Sequence, residues 1–167
     1  KEFPDSYGTI VDMITENRLS REMLPTEVLK RPEVWEALLQ HMGTTAILRN
    51  LGNMSKIGLL KPLSTAAKLV VDKVLDKEQL KKGRIHPLQI LMALKVYQGG
   101  HGIKGDGHWV PVQTVCDALD EAFYLAFEQL EPTGKRLLFG VDVSGSMDMG
   151  TIAGTPLTPR EGAAAMA

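Results

Sequence analysis

Cysteine, aromatics and long apolar runs are all scarce in this chain, and each shortage excludes something. One cysteine, Cys116, stands among 167 residues, so no disulfide forms within the chain, and such usage fits a reducing, cytoplasmic setting. It falls on the apolar side of a predicted helix, which makes it a buried structural thiol rather than a nucleophile. No stretch approaches the roughly 18 apolar residues of a membrane-spanning helix. The opening Lys1-Glu-Phe-Pro-Asp has neither the apolar core of a signal peptide nor an initiator Met, as expected of a fragment or a processed chain. Gly-x-Ser-x-Gly, P-loop and dinucleotide-binding glycine patterns are missing. The histidines at 41, 86, 101 and 108 show no zinc-finger spacing with Cys116, and none lies near the serines of 144 and 146 to act as a base. A binding protein, not an enzyme, is expected.

Apolar residues make up 44% of the chain, enough for a core, while aromatics contribute only 5%. Leu, Ala, Met and Lys outweigh Thr, Tyr and Phe, which favours helices. Residues 32–42 place Val34, Trp35, Leu38, Leu39 and Met42 on one helical face, with Pro32 in the first turn where its missing N–H costs nothing. Gly43 breaks that helix, Thr44 is expected to cap the next, which carries Ile47, Leu48 and Leu51, and Gly52 to end it. A helix over 63–75 buries Leu63, Ala66, Ala67, Val70, Val71 and Val74. Asp76 caps a short basic helix, Lys77–Lys82, stopped by Gly83. Residues 87–97 are apolar on most sides, so that helix is expected to be central. Pro111 opens the last long one, with Val112, Val115, Cys116, Leu119, Phe123, Ala126 and Leu130 in a stripe. Short loops between amphipathic helices predict a helical-repeat, HEAT-like array, although no clean sequence repeat is visible.

Charge is distributed unevenly. Residues 41–110 carry eleven basic and four acidic side chains, whereas residues 1–40 carry five and eight and residues 111–167 carry three and eight. A basic segment between acidic flanks suggests a local polyanion-binding face, and a solvated lysine-rich helix surface would look similar.

The turn-rich Glu131-Pro-Thr-Gly marks a boundary, dividing a helical domain over 1–131 from a second, incomplete one over 132–167. Leu137-Leu-Phe-Gly-Val then reads as a buried parallel strand running into Asp142-x-Ser144-x-Ser146. Asp142, Ser144 and Ser146 offer three hard oxygens from one turn, which suits Mg²⁺ or a similar divalent cation. The ordinary alternative is a turn whose Asp bonds its own backbone. Residues 160–167 look like the start of a helix. A lone strand without neighbours leads us to expect residues 135–167 disordered, swapped or docked on a partner segment.

The strand and loop resemble the metal-ion-dependent adhesion site of a von Willebrand factor A domain. The order of the whole chain resembles the Ro autoantigen family. The resemblance is carried by Val34-Trp-Glu-Ala-Leu-Leu, Leu48-Arg-Asn-Leu-Gly-Asn-Met, Leu80-Lys-Lys-Gly-Arg-Ile-His-Pro and Glu131-Pro-Thr-Gly-Lys-Arg-Leu-Leu, with Gly100-His-Gly-Ile-Lys-Gly and Ala122-Phe-Tyr adding to it. It implies the later helices of a ring-shaped TROVE module, followed by the first β-strand and metal loop of an α/β A domain. It also implies binding of small noncoding Y-type RNA and of single-stranded ends of misfolded RNA, in company with the rest of the same protein and an exoribonuclease. Cations that neutralise phosphates are then the candidates. They are Lys81, Lys82 and Arg84 beside His86; Arg49 with Asn50 and Lys56; and His101, Lys104 and His108 in the glycine-rich loop 99–107. Trp35 reads as core, and Trp109 as either packing or a platform for an unpaired base. The alternative reading is a metal-dependent protein-interaction module with no nucleic-acid role.

Overall fold

A computed structural model describes residues 6–103 and 106–167. Among the described residues the chain is mainly helical and contains no strand, with eight α-helices. They are α1 (Ser6–Asn17), α2 (Pro32–His41), α3 (Thr44–Lys56), α4 (Thr65–Val74), α5 (Lys77–Lys82), α6 (Pro87–Gln98), α7 (Gln113–Phe127) and α8 (Pro159–Met166). Short 3-10 turns lie at Arg21–Met23, Val28–Lys30 and Gly145–Asp148.

One apolar core joins α1 through α7. The stripe expected on α2 is buried throughout, and Trp35, 1% exposed, sits among Val34, Leu38 and Leu39. Its indole Nε1–H donates to the Leu29 carbonyl at 2.7 Å, so the large ring enters the core without leaving a polar atom unpaired. Helix α6 packs most extensively on α7 and also meets α3, while α7 further covers α4 and α5. Ile90, Leu94 and Tyr97 of α6 are fully enclosed, but Leu88, Leu91, Met92 and Val96 are only half-buried. Helix α6 is therefore less central than its composition implied, because one side of it faces a cleft.

Caps set several boundaries. The Ser64 hydroxyl accepts from Ala67 N–H at 3.1 Å and starts α4. Asp76 accepts from Glu78 and Gln79 N–H and starts α5, as expected. His86 and Gln89 form a reciprocal capping box at α6, and Thr158 with Glu161 forms another at α8 that the sequence reading missed.

Four expectations are corrected. Thr44 does not cap α3: Gly43 occupies that position with no side-chain cap, and Thr44 is the first helical residue. Gly52 does not end α3, which continues to Lys56; the glycine is there for space, because a Cβ on it would lie 2.6 Å from the Trp109 ring. Leu63 is not in α4 but ahead of it, at φ +64° and 99% exposed. Finally, residues 137–143 form no strand. Leu137, Leu138, Phe139, Val141 and Val143 are all exposed, since a strand needs a neighbour to take its backbone hydrogen bonds and none is provided. The segment beyond is not loose. Leu157 is buried, Ile152 N–H bonds the Leu157 carbonyl at 2.8 Å, and Glu161 of α8 is ion-paired with Lys95 of α6. The tail thus holds itself together locally and is tied to α6 by the Lys95–Glu161 ion pair.

Candidate nucleic-acid interface

Helix α3 turns its apolar face to the core, and α6, apolar on most sides, buries Ile90, Leu94 and Tyr97 while Met92 and Val96 stay half-buried. Between the two helices lies a cleft of about 460 Å³, with Leu48, Met92, Val96 and Trp109 as apolar walls and Arg49, Asn53 and Gln89 as polar members. Trp109 closes one end. Its ring stacks on Tyr97 (centroids 6.3 Å apart, planes 18° apart), and its Nε1–H donates to the Tyr97 carbonyl at 2.9 Å. Tyr97 is itself fixed, its hydroxyl 2.8 Å from Ser55 Oγ and accepting from Val112 N–H at 3.1 Å. Burial pushes the Tyr97 phenol above its ordinary pKa, so it stays neutral. The indole is held from three sides, with its far edge against the bare backbone of Gly52. An apolar slot closed by an aromatic ring, with a guanidinium beside it, suits an unpaired base and its phosphate.

The structure divides the sequence candidates among several surfaces. Arg49 is exposed and lines the cleft. Asn50, next to it, turns away: its Nδ2 donates to the Ala46 carbonyl at 2.8 Å, and it lines a different hollow with Arg18 and Arg21. Lys56, at the end of α3, shares a hollow with Lys61, His108 and Trp109. His101 and His108 face each other across an isolated antiparallel bridge, ring centroids 6.4 Å apart. Lys104 lies outside the described residues. Lys81 lines a hollow with Lys77, Glu128 and Glu131, in which Glu128 is ion-paired with Lys77 at 2.8 Å. Lys82 faces another direction, toward a cavity it shares with Lys73 and His41. Arg84 is exposed in a left-handed turn at φ +48°. The basic segment therefore makes several small cationic sites, not one patch.

Lys73, Lys61, Asn53 and Gln89 were missed. Lys73 had no local signal, because what positions it is distant in sequence: its Nζ donates to the carbonyls of Gln40 and Met42, where α2 ends. Partial burial lowers its pKa from the ordinary lysine value. Gly52, by contrast, did leave a signal, a glycine inside an otherwise continuous helical pattern.

The loop of Asp142, Ser144 and Ser146 brings its oxygens together. Ser144 Oγ and Ser146 Oγ are 2.9 Å apart, and Asp142 Oδ1 accepts from Ser144 N–H at 2.8 Å. That bond, together with the Ser144 hydroxyl, holds the Asp142 carboxyl below its usual pKa. The 2.9 Å between the two hydroxyls is that of the hydrogen bond they share, and it is also the separation of adjacent oxygens around an octahedral Mg²⁺ at about 2.0–2.1 Å. Arg160 steadies the loop through Asp148, at 2.8 Å.

A family model described as TROVE domain matches residues 12–96, just over half of the chain and all of α2 to α5. The chain belongs to the TROVE domain family. It is similar to RNA-binding protein RO60 of Deinococcus radiodurans, 47% identical over 156 residues and 92% of this chain. It is also similar to RNA-binding protein RO60 of Caenorhabditis elegans, 42% identical over 162 residues and 96% of this chain. The chain spans 29% and 25% of the length of those two relatives. The crystal structure of the Deinococcus radiodurans RO (RSR) protein superposes with a TM-score of 0.87 at 46% identity, over 96% of this chain and 32% of that one. In this TROVE-family chain the matched residues contain most of the α3/α6 cleft, while Trp109, which closes it, lies beyond them.

Proposed function

We propose that this chain is the RNA-binding part of a Ro-like ribonucleoprotein, taking single-stranded RNA along α3 and the loop that carries Trp109. The observation that carries the reading is the α3/α6 cleft, with an immobilised indole at one end and Arg49 at its side. The naming of the two curated relatives as RNA-binding supports it. A base enters the apolar slot, and Arg49 and Lys56 neutralise phosphates on either side of it. Recognition is of backbone charge and an unpaired end, tolerant of base sequence, and involves no chemical step. Small noncoding Y-type RNA and the free ends of misfolded RNA are the substrates this mode suits. An exoribonuclease is the partner for which a held, unpaired end is useful. The Asp142, Ser144 and Ser146 loop would hold Mg²⁺, supplying a Lewis-acidic position for a partner's carboxylate.

The test is a titration at low and moderate salt of a structured RNA with and without a single-stranded 3′ tail. We expect tail-dependent binding whose log K falls with log salt by about 0.7 per phosphate neutralised, and Arg49→Gln to reduce that slope by about one such contact. Equal affinity for tailed and untailed RNA, or a slope unchanged in R49Q, would refute the cleft as the binding site.

A further inference from the structure

The first turn of α3 is unusual for a helix of 13 residues. No side chain caps it. The N–H groups of Ala46 and Ile47 both turn to the Gly43 carbonyl, and those of Thr44 and Thr45 are first-turn donors that no carbonyl of the same helix can reach. Thr44 is 4% exposed, yet its Oγ1 has no hydrogen-bond partner. Leaving a buried hydroxyl so is costly, and such groups in folded proteins are nearly always satisfied.

Thr44 and Thr45 line a cavity of about 700 Å³ together with His41, Lys73, Gln79 and Lys82. No acidic side chain lines it. The neighbouring Asp76 has its carboxylate committed to the N–H groups of Glu78 and Gln79 and to the Gln79 amide. Lys73 gives two hydrogens to the carbonyls of Gln40 and Met42, and an ammonium carries three. The cavity therefore gathers a helix N-terminus, an orphan hydroxyl, a lysine with a donor to spare, a second lysine and a histidine. Helix N-termini bind anions because their N–H groups and dipole both point at the ligand.

We infer that this cavity is a phosphoryl-binding site, in which the Thr44 and Thr45 N–H groups and the Thr44 hydroxyl take the anion's oxygens and Lys73 and Lys82 balance its charge. The inference deepens the RNA-binding reading and adds a contact to it: Thr45 also borders the α3/α6 cleft, so a strand seated in the cleft has its backbone within reach of the cavity. The phosphoryl group is either a backbone phosphodiester or a terminal phosphate.

The test is a titration of the full chain with inorganic phosphate at constant ionic strength, following backbone amide resonances, in the native sequence, Thr44→Val and Lys82→Gln. We expect saturable shifts centred on Thr44 and Thr45, and about tenfold weaker phosphate binding in T44V, the loss of one hydrogen bond to a charged group. T44V should unfold no earlier than the native chain, since it removes an orphan; a merely structural threonine would not combine unchanged stability with lost affinity. Amides that do not move, or shifts that neither variant alters, overturn the site. Single-stranded oligonucleotides with 5′-phosphate or 5′-hydroxyl ends separate the two sources, terminal if only the first moves those amides, backbone if both do. RNA that binds without moving them overturns the site and leaves the cleft reading standing. Phosphate that binds where RNA does not supports the site and removes the RNA reading.

Discussion

Gly52→Ala is the substitution whose outcome reports most directly on how the cleft is built. In the interior of an accessible helix, alanine is favoured over glycine by about 1 kcal/mol. Here the added Cβ would lie 2.6 to 2.8 Å from three atoms of the Trp109 ring. The ring has nowhere easy to go, being stacked on Tyr97 and bonded through its N–H to the Tyr97 carbonyl. Forcing it aside adds an overpacking cost of about 1–3 kcal/mol, and disturbing the indole bond about 1 more. The strain outweighs the propensity gain, for a net loss of about 2 kcal/mol, or about 4–8 °C in Tm for a chain of this size. Urea and thermal unfolding, followed by far-ultraviolet circular dichroism, measure it. Two comparisons make the reasoning refutable. Gly8→Ala, whose Cβ would meet nothing within 4 Å, should be neutral or slightly stabilising. In a Trp109→Leu background, Gly52→Ala should change sign and gain about 1 kcal/mol. If Gly52→Ala stabilises the native chain, or acts equally in both backgrounds, the indole is not seated on Gly52 and the cleft has another end wall.

The remaining predictions concern the caps and the tail. Ser64→Ala should cost about 1 kcal/mol by removing the acceptor for Ala67 N–H, read as a lowered urea midpoint at unchanged m-value. The bond from Lys95 depresses the Glu161 pKa, so the contribution of that pair is present above the ordinary glutamate value and is lost as pH falls through the depressed one. Protection of the α8 amides, relative to their intrinsic exchange at each pH, should therefore fall in acid, and Glu161→Gln should bring the lower protection to neutral pH; α8 protection that is flat with pH would contradict the contribution of the Lys95 pair. Adding Mg²⁺ should shift the Ser144 and Ser146 amides, and Asp142→Ala should abolish the shift.

Much of the helical part was legible because its signals are local. The α2 stripe, the α5 range and the Asp76 cap were each read from residues within two turns of one another. What escaped depends on partners distant in the chain. Lys73 looks like any surface lysine until the end of α2 is packed beside it. Gly52 looks like a helix terminator until Trp109, more than fifty residues later, needs its space. Leu137 to Val143 has the composition of a buried strand, but composition records only that such a segment is suited to a sheet. The sheet requires neighbours, and among the described residues there are none.

The basic segment fails to form one patch for a related reason. Successive helical residues point about 100° apart, so Arg49 and Asn50 look toward different hollows, as do Lys81 and Lys82. Net charge of a segment is a property of sequence, whereas a binding face is a property of packing. What some of the cations share is a single helix. The N-terminus of α3 opens onto the lysine-lined cavity, its flank carries Arg49, its glycine admits the indole, and its last residue, Lys56, reaches the hollow shared with His108. A strand lying along α3 would meet these in order, over the roughly 20 Å that 13 helical residues span. An extended strand of a few nucleotides would cover that length, in keeping with the small number of phosphate contacts the salt titration is designed to count.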